Sequence, residues 1–178
     1  MKGRKKHILL VDGYNIINSW PELIEAQSIS LDAAREELID KMAELAGITG
    51  EILILVFDSY LQKNATRQHL KRKGIEIVFT KEFETADNYI ERLVSEAGKN
   101  DIIKVASSDA LIQSISFGKG ASRISALELK FYYESNKGGL ISRTSKKMKE
   151  GSKLSKNIVS VGESSLKVFE ELEKKFKE

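Results

Sequence analysis

Short apolar runs recur along the chain, separated by longer stretches in which apolar residues return every three or four positions. A run without a polar break is typical of a strand that is buried on both faces, as in parallel sheets. We predict strands over residues 7–11, 52–57, 76–79, 102–106 and 122–124.

The stretches between these runs have the spacing of amphipathic helices. Apolar residues from Leu31 to Leu45 share one face, which predicts a helix over 31–46 with Gly47 as its stop. Further helices are predicted over residues 62–72, from the cap Thr85 to Gly98, from the capping box at Ser125 to about 135, and over 163–176. Alternating strands and helices imply right-handed crossovers. The prediction is an α/β fold, with a parallel sheet of about five strands and helices on both faces.

The composition changes after residue 135. Gly, Ser and Lys dominate residues 136–162, which predicts a basic loop or linker. An amphipathic helix at 163–178 is expected to pack back on the main domain, residues 1–135.

Composition narrows the class of protein. The chain has 178 residues, of which 41% are hydrophobic and 31% charged, enough for one domain with a real core. The absence of cysteine excludes disulfides and thiolate metal sites, and the cytoplasm is the expected compartment. No apolar run approaches the ~20 residues of a membrane span.

The net charge of +3 does not by itself mark a nucleic-acid-binding protein. Basic residues are nevertheless clustered near the N-terminus, around residues 67–73 and over 143–156. Such clusters are usually solvated surface, so each alone is weak support for a polyanionic partner.

Four aspartates are placed where a parallel sheet would bring them together. Asp12, Asp58 and Asp109 each follow a predicted strand, and Asp87 lies in the first turn of the helix after the third strand. The carboxyl ends of parallel strands share one edge, where ligands bind in open α/β sheets. Glu91 lies one helical turn after Asp87.

Carboxylates held together repel one another unless a cation neutralises them. Mg²⁺ or Mn²⁺ is the usual cation of an all-oxygen site with room for phosphate, and Asn15 would add an amide. Each acid alone is also explained as a turn or helix-cap residue. We expect metal binding because the pattern occurs four times.

Several motifs in order resemble the YacP-like NYN domain family of PIN-like nucleases. They are LVDGYNII at residues 10–17, VFTKE at 78–82, TADNYIE at 85–91 and SSD at 107–109. The resemblance extends over about 7–172. It implies a three-layer PIN-like fold and a metal-dependent endoribonuclease of the bacterial cytoplasm that cleaves messenger RNA on the ribosome.

The resemblance also implies roles for individual residues. Asp12, Asp87 and Asp109 would be the catalytic metal-binding acids, and Asp58 a further metal ligand. The expected supporting residues are Asn15, Glu91 and Ser108. Apart from the resemblance, positive charge makes Arg67, Lys71, Arg72, Lys81, Arg143, Lys146, Lys147 and Lys149 the expected RNA-binding residues. Because only 7% of residues are aromatic, with no array for base stacking, RNA selectivity is expected to come from the ribosome.

Three other functions compete with this one. A phosphohydrolase of small metabolites would use Asp12 as nucleophile, but such enzymes place a second acid two residues later, where this chain has Tyr14. A receiver domain phosphorylated on Asp58 would require an acid pair near Asp12, and no such pair is evident in the sequence. An RNA- or ribosome-binding adaptor with a degenerate site is the non-enzymatic alternative.

Overall fold

The computed structural model describes residues 5–59, 63–98, 100–107 and 121–147, with side chains described as far as residue 138. The strands are β1 (His7–Asp12), β2 (Ile52–Phe57), β3 (Gln68–Arg72), β4 (Ile75–Phe79), β5 (Ile102–Ala106) and β6 (Ser122–Ile124). The helices are α1 (Gly13–Ile17), α2 (Pro21–Ile29), α3 (Leu31–Thr49), α4 (Ala86–Glu96) and α5 (Ala126–Lys147).

The six strands form one sheet in the order β3-β4-β2-β1-β5-β6. All neighbours are parallel except β3, which runs antiparallel to β4 at one edge. In the central pairs Leu9 lies beside Leu53 and Lys104. The predicted α/β fold is confirmed, and all five predicted strands are present.

Side chains alternate between the two faces of the sheet and build a core on each. Helices α1, α2, α3 and α5 cover one face, where Leu38, Met42 and Trp20 are buried. The Trp20 indole nitrogen donates to the Ala126 carbonyl at 2.8 Å and ties α5 to this layer. In the described chain α4 covers the opposite face, with Tyr89 buried against the sheet. This gives the expected three layers.

The helix predicted over 62–72 is wrong. Residues Gln68–Arg72 form the edge strand β3, and Lys73-Gly74 turns the chain directly into β4. Both turn residues have positive φ, 52° and 84°, which is typical of the two-residue turns that match the twist of a hairpin. The strand is mostly exposed and polar, so it lacks the apolar run that identified the other strands.

Helix ends also differ from the prediction. Helix α3 continues through Gly47 to Thr49 and ends at Gly50, whose φ of 71° suits a left-handed cap. Helix α5 continues to Lys147, so the first part of the predicted loop at 136–162 is helical. The rest of that segment and the helix predicted at 163–178 lie outside the described residues, and the division into units stays a prediction.

Helices α1 and α2 were not predicted. Helix α1 is a single short turn, and α2 begins at Pro21, whose fixed φ suits a first helical position. Among the described helices, none is long and apolar enough to cross a membrane.

Candidate active site

The carboxyl edge of the sheet holds an open pocket of about 230 Å³ between β1, β2 and the start of α4. Three of the four predicted aspartates line it. The lining residues are Asp12, Tyr14, Asn15, Asn18, Asp58, Ala86 and Asp87. The sequence-based placement of these acids at one sheet edge is therefore seen in the fold for Asp12, Asp58 and Asp87.

Asp12 is the last residue of β1 and also the N-cap of α1. Its Oδ1 accepts a hydrogen bond from the Asn15 backbone nitrogen at 3.1 Å. The structural explanation of this acid as a cap is thus correct, and the same side chain lines the pocket. Gly13 lets the chain pass directly against Phe57, because a Cβ at this position would overlap the Phe57 ring.

Asp87 lies in the first turn of α4, where the helix dipole favours a negative charge. The predicted cap is confirmed, since the Thr85 hydroxyl accepts from the Asn88 backbone nitrogen at 3.1 Å. Asp87 is half-buried, as are Asp12 and Asp58. The helix start therefore directs this acid to the same edge as the strand ends.

The loops that carry Asp58 and Asp87 are joined by backbone contacts. The buried Thr80 hydroxyl accepts from the Ser59 backbone nitrogen at 2.8 Å. The Thr80 nitrogen donates to the Phe57 carbonyl at 3.0 Å. These bonds hold the exits of β2 and β4 together, so the two acids belong to one supported structure.

The residues of the pocket fit a hard divalent cation. Carboxylates of Asp12, Asp58 and Asp87 and two amides give an all-oxygen donor set, and among the described lining residues none is cationic. Within the described ranges, no three His, Cys, Asp or Glu residues lie close enough to hold a metal ion by themselves. Mg²⁺ typically keeps several waters and few direct carboxylates, which suits such an open pocket.

Two of the predicted site residues lie outside the described residues, namely Ser108 and Asp109. Glu91 is exposed and is not among the residues that line the pocket. Asn15 does line it. The metal-binding and catalytic roles of all these residues stay predictions.

None of the predicted RNA-binding residues whose side chains are described is among the residues that line the pocket. Lys71 and Arg72 pair with the start of β4, so they lie toward the opposite edge of the sheet. Arg67 donates to Glu84 through Nε and Nη2, and Arg72 donates to Glu36 through Nη1 and Nη2. Lys71 and Lys81 are exposed. Helix α5 includes Arg143, Lys146 and Lys147, but only their backbone is described. Lys149 lies outside the described residues. Arg67 and Arg72 thus have structural contacts in addition to any role toward RNA.

Glu84 is the centre of an ion-pair cluster beside Asp87. Its carboxylate contacts Arg67 and Arg92, each at 2.7 Å, and only 8% of its side chain is exposed. Burial alone would raise the pKa of Glu84, but the hydrogen bond from Arg67 and the charges of both arginines outweigh it and lower that pKa. The ionised form of Glu84 is the one the fold stabilises.

The sequence did not predict Asn18, Arg35 or the position of Tyr14 in the pocket wall. The Arg35 Nε donates to the Tyr14 hydroxyl at 2.9 Å, and its guanidinium lies over the Tyr14, Phe57 and Phe79 rings. Tyr14 and Asn18 could have been inferred from the motif that contains Asp12. Arg35 had no local indication, because its contact with Tyr14 joins two separate helices.

Comparison with known proteins places the chain among close relatives. The sequence model of the family described as YacP-like NYN domain matches residues 9–174. YacP of Bacillus subtilis (strain 168) is 46% identical over 125 residues, which are 68% of this chain and 72% of that protein.

Two solved structures are also similar, both of Rae1 (YacP) from Bacillus subtilis. The crystal structure of a point mutant has a TM-score of 0.69 at 37% identity and covers 91% of each chain. A second crystal structure has a TM-score of 0.66 at 38% identity and covers 94% of each chain.

Proposed function

The chain belongs to the YacP-like NYN domain family, and from this premise we propose that it is a divalent-metal-dependent endoribonuclease. Family membership and the likeness to Rae1 (YacP) support a nuclease-like function directed at RNA. The observation that carries the finer proposal is the convergence of Asp12, Asp58 and Asp87 on one open pocket.

In this proposal Asp12, Asp58 and Asp87 would hold Mg²⁺ or Mn²⁺ partly through water molecules bound to the ion, together with Asp109 as the sequence predicts. A bound ion of this kind activates a water molecule and stabilises negative charge on a phosphodiester. The chain's own contribution is to orient the acids. Asp12 is held by the Asn15 backbone nitrogen, and Asp87 by the capped start of α4.

The proposed substrate is messenger RNA on the ribosome, in the cytoplasm. The pocket itself is small and lined mainly by acids and amides, with the one ring of Tyr14 in its wall. Selective reading of single-stranded RNA usually needs several stacked bases and base-edge contacts. We therefore assign selectivity to the ribosome as the partner that presents the RNA.

The test is cleavage of end-labelled RNA by the full chain with Mg²⁺, with Mn²⁺ and with a chelator. Asp12→Asn should lose cleavage while it keeps its fold, because Asn is as good a helix cap as Asp but has lost the charge. Asp40→Asn is the matched control, since Asp40 contacts Lys73 on the surface, away from the lining residues.

The outcomes separate the candidate functions. Wild-type cleavage that Asp12→Asn retains would show that the site is wrongly assigned. Binding of RNA or ribosomes without cleavage in any metal would favour the adaptor, and hydrolysis of small phosphate esters instead of RNA would favour the phosphohydrolase.

A further inference from the structure

Phe83 has an unusual backbone and an exposed ring. Its φ of 62° lies in the left-handed region, which bulky side chains avoid and glycine adopts without strain. Its side chain is 74% exposed, so burial in the described fold does little to offset that strain. Strained residues that persist in folded proteins concentrate at functional sites.

The residues on either side of Phe83 hold it in place. The Glu82 backbone nitrogen donates to the Ala65 carbonyl at 2.9 Å, and the Glu82 carboxylate accepts from the Asn64 nitrogen at 2.8 Å. On the other side Glu84 is bound by two arginines. The backbone on both sides of Phe83 is therefore held in place, and a preformed loop lowers the entropy cost of binding a ligand.

Phe83 is close in sequence to a residue that lines the pocket. Phe83 lies four residues before Asp87, so their Cα atoms are at most ~14 Å apart even along an extended chain. The exposed Lys81 lies two residues earlier, and Lys63 is exposed on the neighbouring segment. An exposed aromatic ring beside lysines matches a nucleotide, because a base stacks on the ring and cations attract the phosphates.

We propose that Phe83 is a stacking platform for one base of a single-stranded RNA whose backbone crosses the pocket. The proposal rests on the proposed function, and it names a binding site outside the acid cluster. Stacking of this kind is tolerant of sequence, since every base has a flat face. Phe83 therefore adds affinity and position, while selectivity still comes from the partner that presents the RNA.

The experiment measures binding of a fluorescent oligoadenylate to the full chain by anisotropy, in a chelator so that no cleavage occurs. Phe83→Gly should weaken binding roughly 5- to 150-fold, the range for loss of one stacked base. Its melting temperature should be equal or higher, because glycine suits the positive φ. A loss of binding in this variant is therefore not explained by misfolding.

A second variant reports stacking directly. Phe83→Trp should bind at least as tightly, and its emission should be quenched by the oligonucleotide. Trp20, the one tryptophan of the chain, is 1% exposed, and the wild type gives its background. Phe131→Trp is the matched control, since Phe131 is 72% exposed on α5 and should show no quenching.

Three results would overturn the platform. They are unchanged RNA affinity in Phe83→Gly, no RNA binding by the wild type, and equal fluorescence quenching in Phe131→Trp. Cleavage assays of the same proteins distinguish this from failure of the proposed function. If the wild type cleaves RNA and Phe83→Gly binds RNA with unchanged affinity, only the stacking platform is contradicted. Phe83-dependent binding without cleavage in any metal contradicts only the nuclease.

Discussion

Two arginine–aromatic clusters flank the acid pocket on opposite faces of the sheet, and they are stabilised differently. The first, the Arg35 cluster, consists of Arg35, Tyr14, Phe57 and Phe79 on the α3 face. The second, the Glu84 cluster, consists of Glu84, Arg67, Arg92 and Tyr89 on the α4 face.

The clusters differ in where the acid lies. In the Arg35 cluster the carboxylate partner is Asp32, whose side chain is 87% exposed, so that ion pair is well screened. In the Glu84 cluster the acid is buried and the arginines lie partly exposed above Tyr89, each with its guanidinium 5.1 Å from the ring centre. The first cluster therefore depends on stacking and one hydroxyl, and the second on charge.

This difference assigns distinct tasks to the two sides of the pocket. The Arg35 cluster holds the ring of Tyr14, a wall of the pocket, through a neutral hydroxyl. The Glu84 cluster fixes the loop that leads into α4, whose first turn carries Asp87. The Arg35 cluster thus positions one wall of the pocket, and the Glu84 cluster positions the backbone that leads to Asp87.

The largest effect is expected at Glu84. Glu84→Gln should lower the free energy of unfolding by about 2–3 kcal/mol, because two guanidinium groups lose their carboxylate. The value is below that of a fully buried pair, since both arginines are partly exposed. Urea denaturation at pH 7 measures it. Glu36→Gln, which breaks the exposed pair with Arg72, should cost under about 1 kcal/mol. Equal losses would contradict the comparison.

A smaller effect is expected from acid. The folded-state pKa of Glu84 is lowered, so its contribution is complete above the unfolded pKa of about 4.3 and is lost as pH falls through the folded value. The stability difference between wild type and Glu84→Gln should therefore narrow between pH 5 and pH 3. Denaturation series at both pH values measure it, and a constant difference would show that the ion pairs contribute nothing through charge.

Arg35→Gln should cost about 1–2 kcal/mol, through loss of the Tyr14 hydrogen bond and of stacking over three rings. Tyr14→Phe, which removes only the hydroxyl, should cost about half as much. Asp32→Asn should change stability by less than about 0.5 kcal/mol in the same denaturation measurement. If Asp32→Asn matched Arg35→Gln, the Arg35 cluster would be an ion pair after all.

Much of the fold could be predicted because most of its strands are marked by a local run of apolar residues. The run before Asp12 and the run at Ile52–Phe57 have no polar break, and the edge rule then placed three acids together. Strand β3 was not predicted because it forms by pairing with β4 through a two-residue turn. The residues of β3 themselves show no apolar pattern.

Long-range side-chain contacts account for the rest. Helix α5 continues beyond its predicted end because it packs on α3. Glu44 of α3 accepts a hydrogen bond from the Tyr133 hydroxyl and forms an ion pair with Lys137. Arg35 has an ordinary place on α3, and only folding brings Tyr14 to it. Phe83 carried no indication in the sequence, because its left-handed backbone is set by contacts of the residues on either side.

The hairpin of β3 and β4, which the sequence did not predict, affects how the sheet edge meets other chains. An unpaired sheet edge is a template on which another chain can add a strand, the first step of aggregation. In the described sheet one edge is β3, which carries Lys71 and Arg72, and the other is β6, which has three residues. A charged edge and a very short one both resist added strands, so neither edge of the described sheet favours pairing with a second copy of the chain.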